Sequence, residues 1–173
     1  MIFGSVDTFG IQLIPVRDSL PQYKSHLFGY HVAGHLFGCL QVDQDLDAII
    51  FGALQSVAER MGGMDNNLLW SMPPNEALAM VVSQLYSTKR ARLFSGKIEF
   101  NPRTFLLAPD NTESMQSTAM IMLTQNNHCK IVAAHMSDLG DDRNIAPVIC
   151  QTTTITREYV LESYQSALRY LSA

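Results

Sequence analysis

Between Thr8 and Leu13 the chain alternates. Phe9, Ile11 and Leu13 share one parity, with Thr8, Gly10 and Gln12 on the other, the period-2 pattern of a half-buried strand. Ile2 and Phe3 extend the apolar character toward Met1, and Pro15 closes it, since proline cannot donate to a ladder. Residues 2–15 are therefore read as a strand. No Lys or Arg precedes Arg17, and Ser5, Asp7 and Thr8 break the apolar run. The stretch thus lacks the design of a secretory signal, and nothing in the chain reaches the roughly 18 consecutive apolar residues of a membrane span.

A polar connection, PQYKS (21–25), leads into HLFGYHV (26–32), the turn Ala33-Gly34 and HLFGCLQV (35–42). This is the pattern of a hairpin whose turn uses the φ > 0 freedom of glycine. In that register His31 faces Leu36 and His35 faces Val32. Gly29 and Gly38 sit inside the two strands, where glycine marks a bulge or a close backbone approach. The period then changes. Ile49, Ile50, Ala53, Leu54, Val57 and Met61 recur at helical spacing. Asp45 is placed to cap this helix, Asp47 suits its positive end, and Gly62-Gly63 stop it. MDNNLLWSMPP reads as a loop carrying the only tryptophan, and Asn75 as the cap of a second helix over 76–87.

The second half is richer in strands. KIEFNPRTFLL (97–107) reads as a strand interrupted at Pro102. STAMIMLTQ (117–125), the Asn126-Asn127 turn and HCKIVAAHM (128–136) form a second hairpin. DLGDDRN (138–144) is an acidic loop, and PVICQTTTI (147–155) a strand rich in β-branched residues. Thr156 caps a last helix, REYVLESYQSALRYL, with Tyr159, Val160, Ser163, Ala167 and Tyr170-Leu171 turned inward. With no internal repeat or linker, the expectation is one α+β domain over residues 1–173. It is an antiparallel β-sheet built from hairpins with about three helices packed on it.

Composition narrows the role. The chain is 47% hydrophobic and only 16% charged, against about 25% charged for an average soluble domain. Some of its surface is therefore expected to be uncharged and available to a partner. A net charge of −4 and a pI near 5.6 argue against nucleic acid as a direct ligand and suit a basic protein partner. Cys39, Cys129 and Cys150 are odd in number and widely spaced, so reduced thiols in the cytoplasm are expected rather than a disulfide framework.

Candidate chemistry is sparse. His26, His31 and His35 fall close together, but no Asp, Glu or Cys joins them at a metal-binding spacing. They are read as polar residues on the outer face of a half-buried sheet. His128 and Cys129 are adjacent on a strand, point to opposite faces and cannot pair with each other. KRAR (Lys89, Arg90, Arg92) complements a helix C-terminus. No phosphate loop, GxSxG or HExxH appears. The acidic segments Asp43/Asp45/Asp47 and Asp138/Asp141/Asp142 lack the spacing of a calcium loop. In a chain so poor in charge they are natural contacts for a basic partner.

MIFGSVDTFGIQL, HLFGYHVAGHLFG and DLDAIIFGALQSV together resemble a family of bacterial immunity proteins of polymorphic toxin systems, among them those of contact-dependent growth inhibition. Met1–Gly4, Phe9–Ile11, Gly29–Gly34 and Leu46–Val57 carry the match. Gly10 stands where the family pattern often has Ala, and His31 where it often has Trp or an apolar residue. The resemblance implies a cytoplasmic, non-catalytic protein with no cofactor and no metal. Its partner would be the toxin domain of a cognate effector (the CdiA C-terminal type), a basic nuclease bound one to one. Asp43, Asp45, Asp47, Asp138, Asp141 and Asp142 are the expected acidic contacts, with Tyr23, Tyr30 and Trp70 as exposed aromatic anchors. Edge-strand pairing through the Pro102 segment or the 117–136 hairpin is a further mode. Two other roles stay open: a small hydrolase or transferase with His31 or His135 near Cys39, Cys129 or an acidic residue, and a secretion chaperone or adaptor.

Overall fold

A computed structural model describes residues 1–16, 24–38, 45–85, 100–107, 115, 118–135 and 149–173, without the side chain of Asp45. The opening segment forms two strands rather than one, β1 (Ile2–Gly4) and β2 (Phe9–Pro15), paired antiparallel from Ile2↔Gln12 to Gly4↔Gly10. Gly4 causes the reversal. Its φ of +104° is open to glycine, and a Cβ there would lie 2.5 Å from the Phe9 carbonyl oxygen. The Ser5 amide then donates to that carbonyl at 2.8 Å and closes the loop.

β3 (Ser25–Val32) pairs with all of β2, and β4 (His35–Gly38) returns along its second half. The expected register holds, with His31↔Leu36 and Val32↔His35. Ala33 and Gly34 both have positive φ, the geometry of the tightest hairpin turn. β5 (Asp45–Leu46) pairs with Ser25 and His26 at the other end of β3. Leads into the first helix differ from expectation. α1 (Asp47–Arg60) has Leu46 rather than Asp45 at its N-cap position. It ends in a 3-10 turn, Met61–Gly63.

The tryptophan loop contains a short helix, α2 (Asn67–Ser71), capped by Asn66, whose side chain accepts from the Leu69 amide at 3.0 Å. α3 (Pro74–Leu85) begins one residue before Asn75. Proline at the first helical position brings a φ already suited to the helix and needs no donor there. The segment around Pro102 is not a strand. Residues Pro102–Phe105 form a 3-10 turn capped by Asn101, and Leu106 bridges to the sheet opposite Ile121, while residues 97–99 of the expected strand lie outside the described residues. Arg60 fixes this turn by donating to the carbonyls of Arg103, Thr104 and Leu106.

The second sheet has the order β6 (Thr118–Gln125), β7 (His128–His135) and β8 (Gln151–Thr156), all antiparallel. Thr156 closes β8 and caps α4 (Arg157–Leu171). The buried stripe of α4 is Val160, Ser163, Tyr164 and Ala167, with Tyr159 and Tyr170 half-buried beside it. Between the two sheets and the helices lies one apolar cluster. At its centre Phe9, Phe28, Tyr30 and Tyr164 pack ring against ring, with Tyr30 and Tyr164 fully enclosed. The fold is α+β, as the pattern predicts, with two antiparallel sheets and, among the described residues, four helices.

Candidate functional site

Two surfaces bring polar chemistry and exposure together. The first is a pocket of about 310 Å³ at the end of β2 and β3, lined by Pro15, Lys24, His26, Asp47 and Tyr170 among others. The extended start of β3 carries His26, the first turn of α1 carries Asp47, and the last turn of α4 carries Tyr170. His26 Nδ1 lies 2.6 Å from Asp47 Oδ1 and its Nε2 lies 3.3 Å from the Tyr170 hydroxyl. A carboxylate only accepts, so Nδ1 donates to Asp47, and in the neutral ring Nε2 would accept from the Tyr170 hydroxyl. The triad ties three elements together. It leaves Asp47 with one oxygen engaged and a side chain only 15% exposed. What Asp47 offers a partner is a pocket wall, not a free surface charge.

The second surface runs from α2 to β8. Lys130 of β7 pairs across to Thr154 of β8, and its ammonium sits 4.8 Å from the centre of the Trp70 ring while donating to the Trp70 carbonyl. Burial pushes the Lys130 ammonium below its ordinary value. Trp70 is half-buried, with Leu68 exposed beside it. On β8 the side chains of Thr152, Thr154 and Thr156 are exposed, alternating with half-buried Gln151, Thr153 and Ile155.

The expected contact residues divide sharply. Tyr30 is not an exposed anchor. It is 1% exposed, its hydroxyl accepts from Tyr164 at 3.0 Å, and burial raises its ionisation well above the ordinary tyrosine range. Tyr30 faces the core because it shares the parity of Phe28 and Val32, opposite Ile11. Tyr23, Asp43, Asp138, Asp141 and Asp142 lie outside the described residues, and of Asp45 only the backbone is described. Trp70 and Asp47 each sit on one of the two surfaces above.

The histidines are also redistributed. Of the three clustered histidines, His26 and His31 are each 6% exposed rather than on a solvated face, and His35 is exposed. His31 Nε2 meets Gln12 Oε1 at 2.5 Å, and burial lowers its affinity for a proton. Among the described residues no group of three His, Cys, Asp or Glu could hold a metal ion. Cys129 is fully enclosed, and burial pushes its thiol up to about 11. Cys39 lies outside the described residues. The sequence pattern places Tyr170 on the inward side of the last helix without a polar partner, and does not single out Lys130. Each acquires its role from a partner distant in the chain, and periodicity carries no signal for that.

The model of a protein family described as Immunity protein 42 matches residues 1–170. The chain belongs to the Immunity protein 42 family. The membership reaches well past the motifs between Met1 and Val57 that suggested an immunity protein, and it takes in both surfaces described above. No curated protein matches the chain. Among solved structures, CdiI from Burkholderia dolosa AUO158 shares the fold, with a TM-score of 0.73 over 98% of this chain and 99% of that one, at 16% sequence identity. Among the described residues no helix is long and apolar enough to cross a membrane.

Proposed function

We propose that this protein is the immunity partner of a contact-dependent growth inhibition toxin. In this reading it acts in the cytoplasm and performs no chemistry of its own. It binds the C-terminal toxin domain of its cognate effector one to one and denies that domain its active site or its substrate. Membership in the Immunity protein 42 family carries the reading. The shared fold with a CdiI protein supports it. A net charge of −4 agrees in sign with a toxin that must itself meet phosphate, so a basic nuclease is the proposed target. Trp70, Asp47 and the acidic segment Asp138/Asp141/Asp142 are the proposed contacts, with Asp43, Asp45 and Tyr23 flanking.

Neutralising a toxin calls for a nanomolar or tighter complex, about −12 kcal/mol. That requires a standard-sized interface with a buried anchor and charge complementarity that speeds encounter. The experiment is co-purification with the toxin domain encoded beside this gene. A one-to-one complex on size exclusion is expected, weakened by Asp→Ala changes at 138, 141 and 142 more strongly at low salt than at high salt. Separate elution of the two proteins at micromolar concentration would refute the reading.

A further inference from the structure

The sheet edges of this protein are treated very differently. The outer edge of β6 is occupied: the Leu107 amide donates to the Met120 carbonyl at 3.0 Å, and the Thr124 amide to the Met64 carbonyl at 3.0 Å. β1 has three residues and β4 four, and each ends at a glycine with positive φ. β8 is the exception. It runs six residues, pairs with β7 from His128↔Thr156 to Ala133↔Gln151, and has no partner strand on its other side among the described residues. In an antiparallel strand alternate residues turn their N–H and C=O groups to the outer side.

Natural edge strands are guarded against pairing by lysine, proline, inward charges, bulges or brevity. β8 reads Gln-Thr-Thr-Thr-Ile-Thr and has none of these. Its β-branched residues are stiff at χ1 and hold the extended form before any partner arrives, which lowers the entropy lost on pairing. Among the described residues β8 is thus the longest edge strand whose outer side no other segment covers. On the exposed side of β8, Thr154 stands opposite Lys130 of β7, whose ammonium lies over the half-buried Trp70 ring.

We propose that β8 is the toxin's docking edge, where an extended segment of the toxin domain adds as a fourth strand to the second sheet. The proposal rests on the immunity reading and specifies its mode. Main-chain hydrogen bonds supply the pairing, and side chains set the choice of partner. The incoming strand alternates to match. Polar residues able to meet hydroxyls face Thr152 and Thr154, and apolar ones lie on the side of Ile155. The expected donor edges, the Pro102 segment and the 117–136 hairpin, do not serve: the first is a 3-10 turn, and the hairpin's two strands are the covered β6 and the central β7.

Hydrogen exchange on the full-length protein, alone and with the purified toxin domain encoded beside the gene, made safe by an inactivating substitution, tests this directly. Alone, the outward-facing amides of β8 should exchange quickly. In the complex those same alternate amides should slow by about tenfold or more. Thr153→Pro and Thr154→Pro add a second arm. Proline is tolerated on an edge strand only where its nitrogen faces outward. One of the two variants should keep its melting temperature and lose about tenfold or more in affinity, because its outward donor is gone. A complex that leaves the β8 amides unchanged would overturn the inference while leaving the immunity reading intact. Protection that rises with concentration in the absence of toxin would assign the edge to a second copy of this chain and overturn it. Failure to form any complex would remove both readings.

Discussion

Removing the hydroxyl of Tyr30 should destabilise the protein more than removing that of Tyr164. The asymmetry follows from the direction of the hydrogen bonds. Tyr164 donates to Tyr30 at 3.0 Å, and Tyr30 donates onward to the Leu107 carbonyl at 3.5 Å, all in the buried core. Tyr164→Phe deletes one neutral hydrogen bond and leaves Tyr30 with its acceptor, a loss of about 1 kcal/mol. Tyr30→Phe deletes both bonds and strands the Tyr164 hydroxyl in an apolar cluster with nothing to donate to. An orphaned buried donor costs about 1–3 kcal/mol, so the variant should lose about 2–3 kcal/mol. The double variant orphans no tyrosine hydroxyl. Its loss should fall below the sum of the single losses, since the two side chains are in contact. Urea unfolding followed by far-ultraviolet circular dichroism, with the m-value held constant across the set, reads all three. Equal losses for the single variants, or strict additivity in the double, would refute the hydrogen-bond order.

Three further outcomes follow from the same structure. Burial raises the Cys129 thiol from 9.0 to about 11, so the folded state holds its proton where the unfolded state has lost it; unfolding free energy should fall as pH rises from 9, and Cys129→Val should flatten that slope between pH 9 and 10. His31 moves the other way. Its folded proton affinity lies below the ordinary 6.5, so the unfolded chain protonates first and stability should drop as pH falls below about 6.5, a slope that His31→Gln should reduce when denaturation midpoints are compared. Finally, Gly4→Ala should cost about 2 kcal/mol or more, because φ is +104° and the new Cβ meets the Phe9 carbonyl at 2.5 Å, whereas Gly34→Ala, with φ +84° and open space, should lower the melting temperature less.

Elements were legible where one local signal settled the conformation. Residues 157–171 form a helix end to end, because Thr156 caps it and an apolar stripe runs its length. The Ala33-Gly34 turn fixed the register of its hairpin, since a two-residue loop leaves no freedom to slip. Pro102 misled because a proline inside an apolar run fits either an edge strand or the first turn of a 3-10 helix, and Asn101 and Arg60 decide between them. Tyr30 misled in a different way. A tyrosine between glycine and histidine looks solvated, and only its pairing opposite Ile11, with the Tyr164 hydroxyl above it, makes burial affordable to a polar tip. The pocket of His26, Asp47 and Tyr170 joins residues 144 positions apart at its widest, beyond the reach of any spacing rule.

The family was legible from its opening motifs because strand-turn-strand signatures built on glycine and aromatic residues are tied to backbone geometry. The contact surface was not, because a partner reads exposure and edge availability, and both are set by what the rest of the chain covers. β8 illustrates this: its sequence announces a strand, but only the covering of β6 and the central place of β7 leave it, among the described residues, as the uncovered edge of the second sheet.

The central claim is toxin neutralisation, and growth is its most direct measure. The toxin domain encoded beside this gene is expressed from an inducible promoter in cells with and without this protein. Growth arrest in the cells that lack it and full growth in those that carry it is the predicted result. Equal arrest in both, with this protein present in soluble form, would contradict the account.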